Sequence, residues 1–156
     1  MTTGTASLDN QTVRIARLIE VFGKGEGASA PTSAQWGALA SRAADVPVTL
    51  VNFFKLRATA LYPAGADATP CSGQEAFSRY AAVSAPGLDK VGGKFILLAP
   101  FEASLIGAAE DWDFVAIGSY PDLAAVFALF EMPEYQSAFT HRVAACERQK
   151  TLICNA

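Results

Sequence analysis

The stretch Pro133-Glu-Tyr-Gln-Ser-Ala-Phe-Thr-His-Arg142 carries the only histidine of the chain, with an arginine directly after it. Histidine titrates near neutrality and is the commonest general base, while a guanidinium holds an enolate or a carboxylate. His141 and Arg142 are therefore the candidate catalytic residues, His141 as base and Arg142 as anion clamp. If the stretch is helical, Tyr135, Phe139, Arg142, Val143 and Cys146 recur at i, i+4, i+7, i+8 and i+11 and make one inward face. His141 then sits about 100° away, on a flank with Glu134 and Ala138. Adjacent helix positions do not face each other, so the pair cannot both point squarely into one pocket. The competing role for His141 is a hydrogen bond across an interface; for Arg142 it is a snorkelling or ion-paired side chain.

A second group of residues would hold a ligand rather than react with it. Asn52 interrupts the apolar run Val48-Thr-Leu-Val-Asn-Phe-Phe-Lys55, on the side of Val48, Leu50 and Phe54. A buried amide must have partners, so Asn52 either orients a ligand or ties down a neighbouring loop. Tyr80, Trp112 and Tyr120 offer apolar bodies with polar tips, suited to the walls of an aromatic cavity or simply to core. Asn52, Tyr80, Trp112 and Tyr120 are thus the candidate substrate-binding residues. Lys55 reads as a strand-end charge reaching solvent, Asp113 as a turn or interface charge, and Glu102 as an exposed edge residue. Cys71 precedes a capped helix at Ser72, where a helix N-terminus lowers a thiol pKa, but that alone makes no nucleophile.

Other chemistries lack their residues. One histidine cannot form a metal-binding cluster, and no CxxC or HExxH is present. Gly23-Lys-Gly-Glu-Gly27 is neither a Walker loop nor GxGxxG. No metal and no cofactor is expected.

The elements that must position these residues follow from periodicity. Ile15, Leu18, Ile19 and Phe22 mark a first amphipathic helix, with Asp9 or Asn10 as its cap. After a Gly-rich linker, Thr32-Ser-Ala-Gln35 has capping-box spacing and opens a second helix with Trp36, Leu39, Ala40 and Ala43 apolar. Residues 1–46 read as a helical appendage to a domain over 47–156. That domain opens with a strand over Val48–Lys55, apolar enough to be buried on both faces. Ser72-Gly-Gln-Glu75 caps a helix through about Ser84. Lys94–Ala99 reads as a strand at an edge or bulge because of Pro100, extending through Leu105-Ile106. Trp112–Tyr120 is the third strand, Asp122 caps a helix to about Glu131, and Pro133 starts one to about Arg148. Thr151–Cys154 closes as a short strand. The order β-α-β-β-α-β is the ferredoxin-like α+β pattern, with four antiparallel strands and helices on one face.

At 156 residues, 51% hydrophobic and 17% charged, the chain carries more apolar surface than one small domain hides. The surplus points to an oligomer interface or an interior cavity. A net charge of −3 and a pI near 5.1 supply no basic footprint for nucleic acid or anionic lipid. No signal peptide and no membrane-spanning run is apparent. Three widely spaced cysteines, Cys71, Cys146 and Cys154, read as free thiols in the cytoplasm.

Taken in order, Leu50-Val-Asn-Phe-Phe-Lys55 after Pro47, Ser72-Gly with Ala76-Phe and Arg79-Tyr80, Gly92-Gly93, Trp112-Asp113, Tyr120-Pro121, Pro133-Glu-Tyr-Gln136 and His141-Arg142 form a recognisable series. Over about residues 46–155 the chain resembles the domain-of-unknown-function 1330 family, a branch of the dimeric α+β barrel superfamily. The resemblance implies a homodimer whose two sheets face each other, with a ligand cavity between each sheet and its helices. Relatives in that superfamily include cofactor-free monooxygenases, lactone isomerases, polyketide cyclases and haem-handling enzymes, so the fold leaves the activity open. Three functions stay in play. One is a cofactor-free enzyme doing proton-transfer chemistry, of isomerase, cyclase or monooxygenase type, on a small oxygen-bearing metabolite. The others are a non-catalytic small-molecule-binding module and a structural dimerisation unit that docks a partner through Leu18, Phe22 and Trp36.

Overall fold

β1 (Val48–Leu56) alternates side chains between a helix-covered face and an open one, and both sets are apolar. The computed structural model describes residues 3–155. β1 pairs antiparallel with β3 (Phe114–Tyr120) on one side and β4 (Cys146–Asn155) on the other, and β2 (Lys94–Pro100) pairs with β3. The strand order is β2-β3-β1-β4. α3 (Gly73–Lys90) links β1 to β2, while α4 (Leu123–Glu131) and α5 (Pro133–Ala145) link β3 to β4. This is the ferredoxin-like arrangement expected from the sequence. α1 (Thr3–Phe22) and α2 (Ser33–Ala40) precede it.

The helix starts are fixed where the capping residues stand. Ser72 accepts from the Glu75 N–H at 3.0 Å while the Glu75 carboxylate accepts from the Ser72 N–H at 2.8 Å, and Thr32 with Gln35 repeats the exchange. Asp122 accepts from the Ala125 N–H at 2.8 Å. The ends differ from expectation. α1 begins at Thr3, so Asp9 and Asn10 lie inside it rather than capping it. α3 runs through Pro86 to Lys90, because Leu88 is buried beneath it. It stops at a left-handed Gly92, with the Gly93 N–H returning to the Leu88 carbonyl at 2.9 Å. α5 ends at Ala145, and β4 takes over at Cys146 to accompany β1 along its whole length. Leu105 and Ile106 belong to an exposed loop, not to β2.

The residues before Pro47 were expected to stand apart; their apolar side chains instead join the common core. Leu18 and Trp36 are each 1% exposed. Trp36 stacks on Phe127 and meets the edge of Phe130, and Phe22 meets Phe130 and Phe139 edge-on. Leu18 and Trp36 therefore offer no surface for an outside partner. Gly73, where β1, α3 and α5 converge, has no room for a side chain: a Cβ there would strike the Arg57 carbonyl oxygen and lie 3.0 Å from that of Ala145. Gly73→Ala is expected to cost about 2–4 kcal/mol of stability, read as a lower denaturation midpoint with unchanged slope.

The helices cover only one face of the sheet. On the other, the cross-strand row Leu97–Ile117–Val51–Leu152 is apolar from edge to edge, with Leu97 43% and Leu152 45% exposed. β1 is thus buried mainly on its helix side, at Val48, Leu50 and Phe54, with Thr49 the one buried residue of its other face. Among the described residues no helix is long and apolar enough to cross a membrane.

Candidate functional site

Between the covered face of the sheet, α3, α5 and the N-terminal segment lies a cavity of about 590 Å³. Inward-facing positions of neighbouring strands form its floor in register: Thr151, Asn52, Ala116 and Leu98 make one row, and Ile153 and Leu50 begin the next. Phe77, Tyr80 and Leu88 of α3 and Tyr135, Phe139 and Arg142 of α5 wall it. Residues from Gly25 to Leu39, including Ser29 and Trp36, form a further wall, and the cavity stays open toward Phe95 and Leu98. The segment read from sequence as an appendage is therefore a wall of the cavity.

Arg142 is 8% exposed and its charged group is held from several directions. Nε donates to Gln149 Oε1 at 2.7 Å, Nη1 to the Tyr80 hydroxyl at 3.2 Å, and Nη2 to Thr151 Oγ1 at 3.4 Å. The guanidinium carbon lies 4.9 Å from the Phe54 ring centroid, 5.1 Å from Phe139 and 5.5 Å from Tyr80. No described carboxylate pairs with it. Buried cations are ordinarily paired, so an aromatic cage with hydrogen-bond acceptors but no counter-ion is an unusual setting. The cage leads onward: Thr151 Oγ1 donates to Asn52 Oδ1 at 2.8 Å, and Asn52 Nδ2 donates to the Ala116 and Leu50 carbonyls at 3.1 and 3.4 Å. Asn52 thus orients Thr151, which orients the guanidinium.

Tyr80 and Tyr135 share a hydrogen bond at 3.0 Å. Burial, and then the nearby Tyr80 hydroxyl, lift the Tyr120 and Tyr135 phenols well above their ordinary range, so both stay protonated. Burial likewise pushes the Cys146 thiol up to about 11.

His141 is elsewhere. Its Nδ1 lies 2.6 Å from the Tyr62 hydroxyl, whose oxygen accepts from Arg79 Nη1 at 3.3 Å. Arg79 also donates to the Thr69 carbonyl at 3.2 Å, so the cluster pins the β1–α3 loop onto both helices. Burial, and then Arg79, hold the imidazole below its usual range and leave it uncharged at neutral pH. His141 does not line the cavity and does not approach Arg142 as a catalytic pair. Trp112 lies outside the cavity lining as well. Its ring is 5.7 Å from Phe53 on the open face of the sheet, with Arg148 and Lys150 over it at 4.8 and 5.4 Å. Tyr80, Tyr120 and Asn52 do line the cavity. Lys55, expected in solvent, pairs with Asp111 at 2.9 Å and Asp113 at 3.5 Å. Asp113 also accepts from the Leu56 N–H at 2.6 Å, and Glu102 is exposed on its loop.

Gln149 and Thr151 belong to the site and were not singled out from sequence, whereas Tyr135 was placed on the inward face beside Arg142 without a role in the site. Gln149 and Thr151 take the inward alternation of β4, a signal hidden while the last helix was read through Arg148. Gln149 also reaches back to the cover, its Nε2 donating to the Ser29 carbonyl at 3.5 Å. Among the described residues no group of His, Cys, Asp and Glu side chains is placed to hold a metal ion.

Comparison with known proteins gives the following likenesses. Residues 69–156 match the model of a domain of unknown function, DUF1330. The chain is similar to the crystal structure of methylated RPA0582 protein, with 32% identity and a TM-score of 0.74 over 81% of this chain and 93% of that one. It is equally similar to that of the RPA0582 protein of unknown function from Rhodopseudomonas palustris, with 31% identity and a TM-score of 0.73 over 81% and 95%. No curated protein matches.

Proposed function

The chain belongs to the DUF1330 family, and from its cavity we propose that it is a homodimeric small-molecule-binding protein that holds the anionic group of a largely apolar ligand against Arg142. One observation carries this reading: a buried, fully charged guanidinium, caged by aromatic rings and acceptors, faces a 590 Å³ cavity without a carboxylate partner among the described residues. A cation kept under those conditions favours an anion that arrives with the ligand. The volume falls in the range of small-molecule sites, and so does the apolar lining broken by a few convergent polar groups. Tyr80 and Tyr120 then orient the ligand, and Asn52 acts through Thr151, which it holds against the guanidinium. Residues 1–46 act as a cover and 47–156 as the barrel domain that carries the clamp.

The proton-transfer reading finds less support. His141 is committed to Tyr62, and the cavity lining holds no histidine, carboxylate or thiol that would take a proton near neutral pH. The binding role is therefore preferred over the enzyme. The homodimer is supported by the open, apolar face of the sheet, which a second copy would cover. Three free cysteines suit a cytoplasmic setting.

The test is a fluorescence titration with 1-anilinonaphthalene-8-sulfonate, an aromatic monoanion, on the protein and on Ala116→Phe. Ala116 lies in the middle of the floor, and a phenyl ring there fills the space in front of Asn52 and Thr151. The expected result is saturable binding of one probe per chain, weakened at least about tenfold by the substitution. Unchanged binding in the variant would place the probe elsewhere and count against the cavity.

A further inference from the structure

We propose that the cavity selects a monocarboxylic acid on an apolar aryl or alkyl body and discriminates against dianions, phosphate monoesters and dicarboxylates alike. This rests on the binding reading above and narrows it to one ligand class. The first argument is charge balance. Two cationic residues line the cavity, Arg142 and Lys150. The Lys150 ammonium is already neutralised by Glu110 at 2.8 Å and lies over Phe53 and Trp112, the rings of the open face. Of these two only the Arg142 charge is unmatched by a described carboxylate, so the cavity offers one positive charge. One negative charge on the ligand closes that account. A second would lie among the buried Phe77, Leu88, Leu129 and Phe130 with nothing opposite it, which an apolar site penalises heavily.

The second argument is the number and direction of donors. A guanidinium has five N–H groups. Gln149, Tyr80 and Thr151 take one each from Nε, Nη1 and Nη2. Two remain, one on each terminal nitrogen, the set that a single carboxylate accepts side by side. The neighbouring polar groups add little. The Thr151 proton goes to Asn52, and both bonds from the Asn52 amide nitrogen go to backbone carbonyls. Tyr80 and Tyr135 spend one hydroxyl proton between them, so the second, with that of Tyr120, adds neutral donors but no charge. A phosphate monoester brings nearly two charges to this single fork, and neutral hydroxyls do not balance the second.

The experiment compares four ligands sharing one body: 5-phenylpentanoate, 5-phenylpentanamide, 4-phenylbutyl phosphate and (3-phenylpropyl)malonate. Each is titrated calorimetrically into the full chain, into Arg142→Gln and into Arg142→Lys. The carboxylate is expected to bind at least about tenfold more tightly than the other three. In Arg142→Gln its advantage over the amide should vanish. Arg142→Lys keeps the charge but loses the fork, so the preference for one charge over two should persist at lower affinity; this arm decides if the glutamine variant does not fold. Phosphate or malonate binding as tightly as the carboxylate overturns the inference and leaves the anion-binding reading standing. Equal affinity for carboxylate and amide, or no binding by any of the four, overturns both.

Discussion

Replacing Arg142 with methionine is expected to stabilise the ligand-free protein by about 1–2 kcal/mol while weakening its hold on an apolar anion by about 2–5 kcal/mol. The two effects have one cause. Taking a cation out of water costs several kcal/mol, and here no described counter-ion repays it. Three hydrogen bonds and the faces of Phe54, Phe139 and Tyr80 offset part of that cost. Methionine has similar reach, needs no desolvation, and its sulfur packs well against the same rings. Two of the abandoned acceptors keep other partners, Thr151 with Asn52 and Tyr80 with Tyr135, and Gln149 stays tied through its Nε2 to the Ser29 carbonyl although its Oε1 loses its donor. Thermal melts with and without 5-phenylpentanoate read both quantities at once. The wild type should gain stability from the ligand and the variant should not. If Arg142→Met lowers the melting temperature of the ligand-free protein, the guanidinium is there to hold the fold, and the case for an incoming anion weakens.

Ile117→Lys is expected to leave the protomer folded and to weaken its association with a second copy at least about a hundredfold. Ile117 sits in the middle of the row Leu97–Ile117–Val51–Leu152, pointing away from the helices. The chain's own core therefore barely registers the change. In a two-fold dimer each substitution occurs twice across one interface, so two ammonium groups would be buried near each other against apolar rows. Sedimentation velocity over a concentration series measures the outcome. A wild type that sediments as a monomer, or a lysine variant that stays dimeric, would remove the sheet face from the interface.

The sequence speaks clearly where one residue decides one geometry. Ser72, Thr32 and Asp122 accept the backbone N–H groups their spacing promises, and the alternation in β1 puts Asn52 on the covered side with Leu50 and Phe54. Helical periodicity likewise separated Arg142, on the inward face, from His141 on the flank. It was silent about what each would meet. The partner of His141 is Tyr62, from a loop without periodicity, brought in by Arg79. Trp112 precedes a strand edge, where alternation no longer fixes a direction, and it turned to the open face. Glu147-Arg-Gln-Lys150 is polar throughout and reads as the end of a helix. Only the demand of β1 for a full-length neighbour makes it strand, and that demand is invisible locally. What the N-terminal helices pack on stayed open for a related reason: Trp36 looks like part of any amphipathic helix until Phe127 and Phe130, some ninety residues on, are folded against it.

That long separation shapes how the protein comes into being on the ribosome. The Ser29 carbonyl that closes over the clamp finds Gln149 only 120 residues later. At a synthesis rate of roughly 5–20 residues per second, that is an interval of about 6–24 s. For most of it Phe22 and Trp36 lack the aromatic partners that α4 and α5 bring, and Leu18 lacks the core that buries it. A segment made well before its partners is thus among the last to settle. In a growing chain these three side chains are the apolar surface that a chaperone would meet first.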